Sequence, residues 1–146
     1  MNNKNIVFNI LLTAITIALA ACSTNKIPIK NNDNELYNCP KYIDEVGTRS
    51  HREYFTKVYS KISNNFNLPE KPYNGIKWDQ SLRATMIATV TENGEITEIK
   101  VEKKSGNKEF DKYVIKAIEK SNPLPPPNVF NQTCLDIGLV FKPQKQ

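Results

Sequence analysis

The stretch LRATMIATVTENGEITEIKVEK, residues 82–103, predicts a β-hairpin and thereby decides the fold. Two β-type runs, residues 82–91 and 96–103, flank the dipeptide Asn93-Gly94. This dipeptide is typical of a two-residue type I′ turn, which needs positive φ at both central positions. The stretch therefore predicts two antiparallel strands joined by a tight turn.

Centring the turn on Asn93-Gly94 fixes the register of the hairpin by counting. Met86 then lies opposite Val101, and Ala88 lies opposite Ile99. These apolar residues share one face, whereas threonines, glutamates and lysines dominate the other. We therefore expect a sheet that is buried on one face only.

An amphipathic helix is predicted on each side of the hairpin. Before it, Ser50 and Glu53 form a capping-box pattern, and apolar residues recur at three- and four-residue spacing as far as Phe66. This pattern predicts a first helix over residues 51–66. After the hairpin, Asn107 can cap a second helix with one apolar stripe, made of Phe110, Val114, Ala117 and Ile118.

A third strand follows the second helix and a proline-rich loop. Its residues alternate between apolar and other types, in the order Leu135, Asp136, Ile137, Gly138, Leu139, Val140 and Phe141. A right-handed crossover that skips one position leaves the first strand in the centre. The predicted fold is α+β: a three-stranded antiparallel-type sheet in the order 2-1-3, with two helices packed on one face, in the chain order α-β-β-α-β.

The N-terminus resembles a bacterial lipoprotein signal. An apolar run from Ile6 is followed by Leu19-Ala20-Ala21-Cys22, similar to the lipobox that signal peptidase II cleaves. The alternative is a retained membrane helix, but the apolar run falls short of the roughly 20 residues that span a bilayer core. We predict a signal peptide over residues 1–21. We also predict lipidation of Cys22, by attachment of fatty acids such as palmitate.

The remaining chain divides into a tether and one domain. Residues 22–48 are polar with no period, which predicts a flexible tether, and residues 49–146 form the predicted domain. An exported chain meets an oxidising compartment, and two cysteines, Cys39 and Cys134, are left after lipidation. We expect them to form a disulfide; the alternative is two free thiols.

The sequence offers little for catalysis. It contains one histidine, His51, in an expected solvated position, and it lacks metal-ligand spacing, a phosphate-binding loop and a serine with a plausible base. We therefore predict no enzyme activity, no catalytic or metal site and no cofactor. The net charge of +5 is spread along the chain and is not gathered into a basic run, so no nucleic-acid partner is expected.

The ordered set of motifs resembles the C-terminal domain of the TolA and TonB proteins, and TolA more closely. The set comprises residues 92–96, the helix entry 105–111, Ala117-Ile118, the proline cluster 123–127 and the closing residues 139–143. The resemblance implies a non-catalytic periplasmic module that binds envelope proteins of the Tol system. It also implies strand addition, for which the third strand, Leu135 to Phe141, is the candidate edge.

Two other binding roles remain open from the sequence. The chain could be an immunity or exclusion lipoprotein against bacteriocin or phage domains, or a component of a secretion or conjugation apparatus. The residue after the lipobox cysteine is Ser23. Lipoproteins held at the inner membrane resemble one another in commonly carrying Asp at this position. We therefore expect a lipid anchor on the periplasmic face of the outer membrane.

Overall fold

The fold centres on a sheet whose middle strand comes from the first arm of the hairpin. The computed structural model describes residues 26–31, 39–42, 48–69 and 78–143, so Cys22 and the predicted signal peptide lie outside the described residues. The elements are β1 (Ile29–Asn31), β2 (Lys41–Tyr42), α1 (Arg49–Asn65), β3 (Ala84–Thr91), β4 (Ile96–Lys103), α2 (Lys108–Lys120), a 3₁₀ turn (Asn128–Phe130) and β5 (Cys134–Phe141).

The three predicted strands are β3, β4 and β5, and the predicted order 2-1-3 is confirmed. β3 pairs antiparallel with β4 on one side and with β5 on the other. Both helices pack on one face, where their apolar stripes form a single core with the inward residues of the sheet. Phe110 of α2 is completely buried in this core. The predicted α+β fold is therefore correct.

The segment predicted as a tether contributes two further strands, which the sequence did not reveal. β1 pairs parallel with β4 and β2 pairs parallel with β5, so the sheet has the order β1-β4-β3-β5-β2. The expectation of a tether without structure is therefore wrong at these residues. Strands of two or three residues have no apolar period, and their pairing depends on distant partners that local composition does not indicate.

The hairpin turn differs from the predicted type I′ turn. Gly94 alone has a positive φ, of 87°, and its N–H donates to the carbonyl of Thr91 at 2.9 Å. The loop is thus one residue longer than predicted, as in three-residue hairpins that end on a left-handed glycine. An irregularity between Thr89 and Val90 restores the count, so Met86 still lies opposite Val101 as predicted.

Gly94 also brings the hairpin against the proline-rich loop. The N–H of Leu124 donates to the Gly94 carbonyl at 2.7 Å, and a Cβ on Gly94 would lie 2.0 Å from the Leu124 oxygen. Asn122 accepts a hydrogen bond from the N–H of Ile96 at 2.8 Å. The loop therefore closes the end of the core and turns the chain toward β5.

The predicted N-cap of the first helix is wrong, and that of the second helix is correct. α1 begins at Arg49 with Thr48 as its cap, which accepts a hydrogen bond from the N–H of His51. Ser50, the predicted cap, lies within the first turn. Asn107 caps α2 as predicted, since its side chain accepts from two backbone N–H groups.

His51 is not the solvated side chain that the sequence suggested. Its ring stacks on Phe130 with centroids 4.4 Å apart, and Phe130 in turn contacts Tyr54 and Phe55. The 3₁₀ turn that carries Phe130 was not predicted, which explains why a partner for this histidine was not expected. His51 thus belongs to the aromatic cluster between α1 and the loop before β5.

Candidate protein-binding edge

The predicted binding strand, β5, uses its side chains mainly to build the core. Leu135, Ile137, Leu139 and Phe141 are all buried beneath the helices. Between them, Asp136 and Gly138 are half-buried, and Val140 is 67% exposed. A partner at this strand would therefore rely mainly on backbone groups, because most of its apolar side chains already pack in the core.

A single hydrogen bond fixes which backbone groups of β5 point outward. The N–H of Asp136 donates to the carbonyl of Pro40, on the side away from β3. Because successive residues of a strand point their N–H groups to opposite sides, Gly138 and Val140 also present theirs outward. The N–H of Ile137 faces β3, where its cross-strand neighbour is Ala88.

The outward edge of β5 is partly occupied, which corrects the expectation of a free edge from Leu135 to Phe141. β2 pairs with it at two positions, Lys41 with Asp136 and Tyr42 with Ile137. Beyond Ile137, none of the residues that the structure describes pairs with this side of β5. With respect to the described part of the chain, the open part of the edge is therefore Gly138–Phe141.

An apolar groove runs beside the open part of the edge. It has a volume of about 290 Å³ and lies between α1 and the end of β5. Its lining is mostly apolar or aromatic, with one charged residue: Tyr59, Ile62, Ser63, Phe66, Leu139, Val140, Phe141 and Lys142. A strand added beside Val140 would place alternate side chains over this groove, since residues of one strand face alternate sides.

The predicted disulfide lies at the other end of β5. Cys39 and Cys134 are bonded, with their Cα atoms 5.4 Å apart. Cys39 immediately precedes the Pro40 whose carbonyl binds Asp136, and Cys134 is the first residue of β5. The bond therefore joins the segment just before β2 to the first residue of β5, the strand with which β2 pairs.

Electrostatics at the edge are mild. The carboxylate of Asp136, the one acidic residue of β5, accepts a hydrogen bond from the hydroxyl of Thr89 at 2.7 Å. Lys142 supplies the charge at the far end of the groove. The site thus offers backbone pairing, an apolar surface and one cation, which suits an extended polypeptide segment.

Other described parts of the chain offer no comparable chemistry. A second pocket, of about 330 Å³, is lined by polar loop residues that include Glu92 and Asn131. Within the described ranges no group of three or more His, Cys, Asp or Glu side chains converges as metal ligands would. None of the helices in those ranges is both long and apolar enough to cross a bilayer.

Comparison with known families assigns the domain. Residues 51–141 match the family model described as TonB C terminal. This chain belongs to that family. The match runs from the first turn of α1 to the last residue of β5, so it includes both helices and the open edge.

One solved structure has a fold similar to that of this chain. It is titled as the solution NMR structure of TolAIII bound to a peptide derived from the N-terminus of TolB. The likeness has a TM-score of 0.54 at 21% sequence identity, and it covers 70% of this chain and 82% of that chain. A search of the curated proteins gave no match.

Two parts of the site were not found from the sequence. One is β2, and the other is the groove, although one of its residues, Phe66, was recognised as the end of the apolar pattern of the first helix. Helical periodicity identifies the face that turns inward, but it does not show where the end of that face leaves a gap beside a strand.

Proposed function

We propose that this protein is a non-catalytic binding module of the bacterial cell envelope that holds an extended segment of a partner protein. The partner segment adds as a strand beside Gly138–Phe141 and lays its side chains into the groove under α1. The observation that carries the proposal is an apolar groove beside Gly138–Phe141, a stretch whose outer edge is not paired by any residue that the structure describes. Membership of the TonB C-terminal family supports it.

We further propose that the module is a lipoprotein of the Tol system. The lipobox supports lipidation at Cys22, and Ser23 supports the outer membrane with the domain on its periplasmic face. A Tol-system partner is supported by the shared fold, because the similar TolAIII structure holds a TolB peptide. Labelled palmitate should enter the wild type and should not enter Cys22→Ser.

The test of strand addition compares two substitutions at Val140. Val140→Pro removes an outward N–H on an edge where proline is tolerated, whereas Val140→Ala changes the exposed side chain and keeps the N–H. A peptide from the N-terminus of a TolB protein is titrated against each domain while amide NMR shifts are recorded. We expect the proline variant to lose at least ~10-fold in affinity and the alanine variant to stay within ~2-fold.

The groove is tested separately at Tyr59, which lines it from α1. Tyr59→Ala should weaken the peptide by about 1–2 kcal/mol if partner side chains enter the groove, since aromatic residues dominate such contacts. Shift changes confined to the 3₁₀ turn and the proline-rich loop, with Gly138 and Val140 unaffected, would contradict strand addition at β5.

A further inference from the structure

The strand that covers the first half of the binding edge belongs to the chain itself. β2 pairs with Asp136 and Ile137, and the Pro40 carbonyl already accepts the Asp136 N–H at 3.1 Å. These backbone groups continue directly into the open edge at Gly138. A partner strand longer than four residues would have to displace β2 to extend along β5, which is eight residues long.

Non-covalent pairing alone holds such a short strand weakly. Two residues form few hydrogen bonds, and ordering each of them costs backbone entropy. The Cys39–Cys134 bond offsets this disadvantage because it keeps β2 at a high effective concentration beside its partner strand. Cys39 is itself buried, so the bond is part of the packed structure.

We propose that residues 39–42 are a built-in cap on the binding edge, held in register by the Cys39–Cys134 disulfide. The cap limits a partner strand to Gly138–Phe141, and its release exposes β5 from Cys134 onward. The partner part of this inference rests on the proposed function, whereas the dependence of the cap on the disulfide does not.

The cap is tested first without any partner, by hydrogen exchange in the full chain. In the double variant Cys39→Ser, Cys134→Ser, the Asp136 amide should exchange at least ~10-fold faster than in the oxidised wild type. The Ile137 amide faces β3 and reports the accompanying loss of global stability, so in this variant the Asp136 amide should also exchange faster than the Ile137 amide. Equal protection of Asp136 in both proteins would overturn the proposal.

Because loss of the disulfide also lowers stability, a second variant keeps that bond. Tyr42→Pro removes the β2 N–H that faces β5 and leaves both cysteines in place. We expect faster exchange at Asp136 here as well, with Ile137 still protected. A Tyr42→Pro protein in which Asp136 remains as protected as in the wild type also overturns the proposal.

The consequence for binding is measured with the TolB N-terminal peptide on the oxidised wild type and on Tyr42→Pro. Release of the cap should tighten binding at least ~10-fold and extend the amide shifts from Val140 back to Asp136. An unchanged affinity, with Asp136 deprotected, would refute the cap as a limit on the partner and leave strand addition intact. If neither protein binds the peptide, the proposed function fails and the exchange experiment alone decides the cap.

Discussion

Each edge of the sheet carries a short parallel strand, but different interactions hold the two short strands in place. On the β4 edge, the Ile99 N–H donates to the carbonyl of Pro28 at 3.0 Å, just before β1, and on the β5 edge Asp136 donates to Pro40, just before β2. β1 is anchored by Ile27, whose side chain is buried in the core, whereas β2 is anchored by the disulfide. One edge thus depends on packing and the other on a covalent bond.

The largest expected effect comes from breaking the covalent anchor. The double variant Cys39→Ser, Cys134→Ser opens a loop that spans 95 residues, so chain entropy predicts a loss of up to ~4–5 kcal/mol in the free energy of unfolding. Urea unfolding of the oxidised wild type and of the variant measures this loss. A difference below about 1 kcal/mol would mean that the bond constrains the unfolded chain far less than the length of the closed loop suggests.

Breaking the packed anchor should have a smaller effect. Ile27→Ala removes a nearly buried side chain and should cost about 2–3 kcal/mol, with faster exchange of the Ile99 amide. Ile29→Ala is the matched control, because Ile29 lies two residues on and is 38% exposed. It should change stability by less than about 1 kcal/mol. Equal losses for the two variants would show that β1 is not held by Ile27.

A substitution distant from both edges should have a smaller effect on stability, and of the opposite sign. The Tyr54 hydroxyl is buried and, among the described residues, has no hydrogen-bond partner. Because such a group loses its hydration without compensation, Tyr54→Phe should stabilise the protein by about 1 kcal/mol. The measurement is urea unfolding at neutral pH, and a loss of stability would indicate a partner for this hydroxyl.

Tyr54 also predicts an alkaline dependence that the phenylalanine variant should lack. Burial raises the pKa of Tyr54 from 10.0 to about 12. Below pH 10 the group is protonated in both the folded and the unfolded states and contributes no pH dependence. As pH rises from about 10 to 12 the unfolded state releases the proton first, so the free energy of unfolding falls. Comparing wild type and Tyr54→Phe over this range isolates the effect.

The elements that the sequence predicted correctly are those with a strong local period. β3, β4, β5 and α2 each alternate or repeat over eight or more residues, and Asn107 marks the start of α2 with a side chain suited to capping. The hairpin register also held in its centre, since the longer loop after Thr91 and the irregularity at Thr89 compensate each other. Local pattern was sufficient there because both partners are close in sequence.

The parts that were missed depend on contacts between distant residues. β1 and β2 have three and two residues, too few for any period, and they pair with strands about 70 and 95 positions away. Thr48 rather than Ser50 caps α1, although both residue types are good caps. The groove depends on how the end of α1 lies against β5. The sequence predicted β5 as a strand, but not which part of its outer edge β2 covers.

The position of β1 has a consequence for how the protein would sit on a membrane. With the proposed lipid on Cys22, seven residues lead to Ile29, and even a fully extended chain of that length spans at most ~25 Å. The sheet would therefore lie close to the lipid surface. Since β1 is the edge strand next to β4, the proposed anchor would attach at the sheet edge opposite to the open part of β5. The binding strand would then face away from the bilayer, toward partners that approach from the aqueous space.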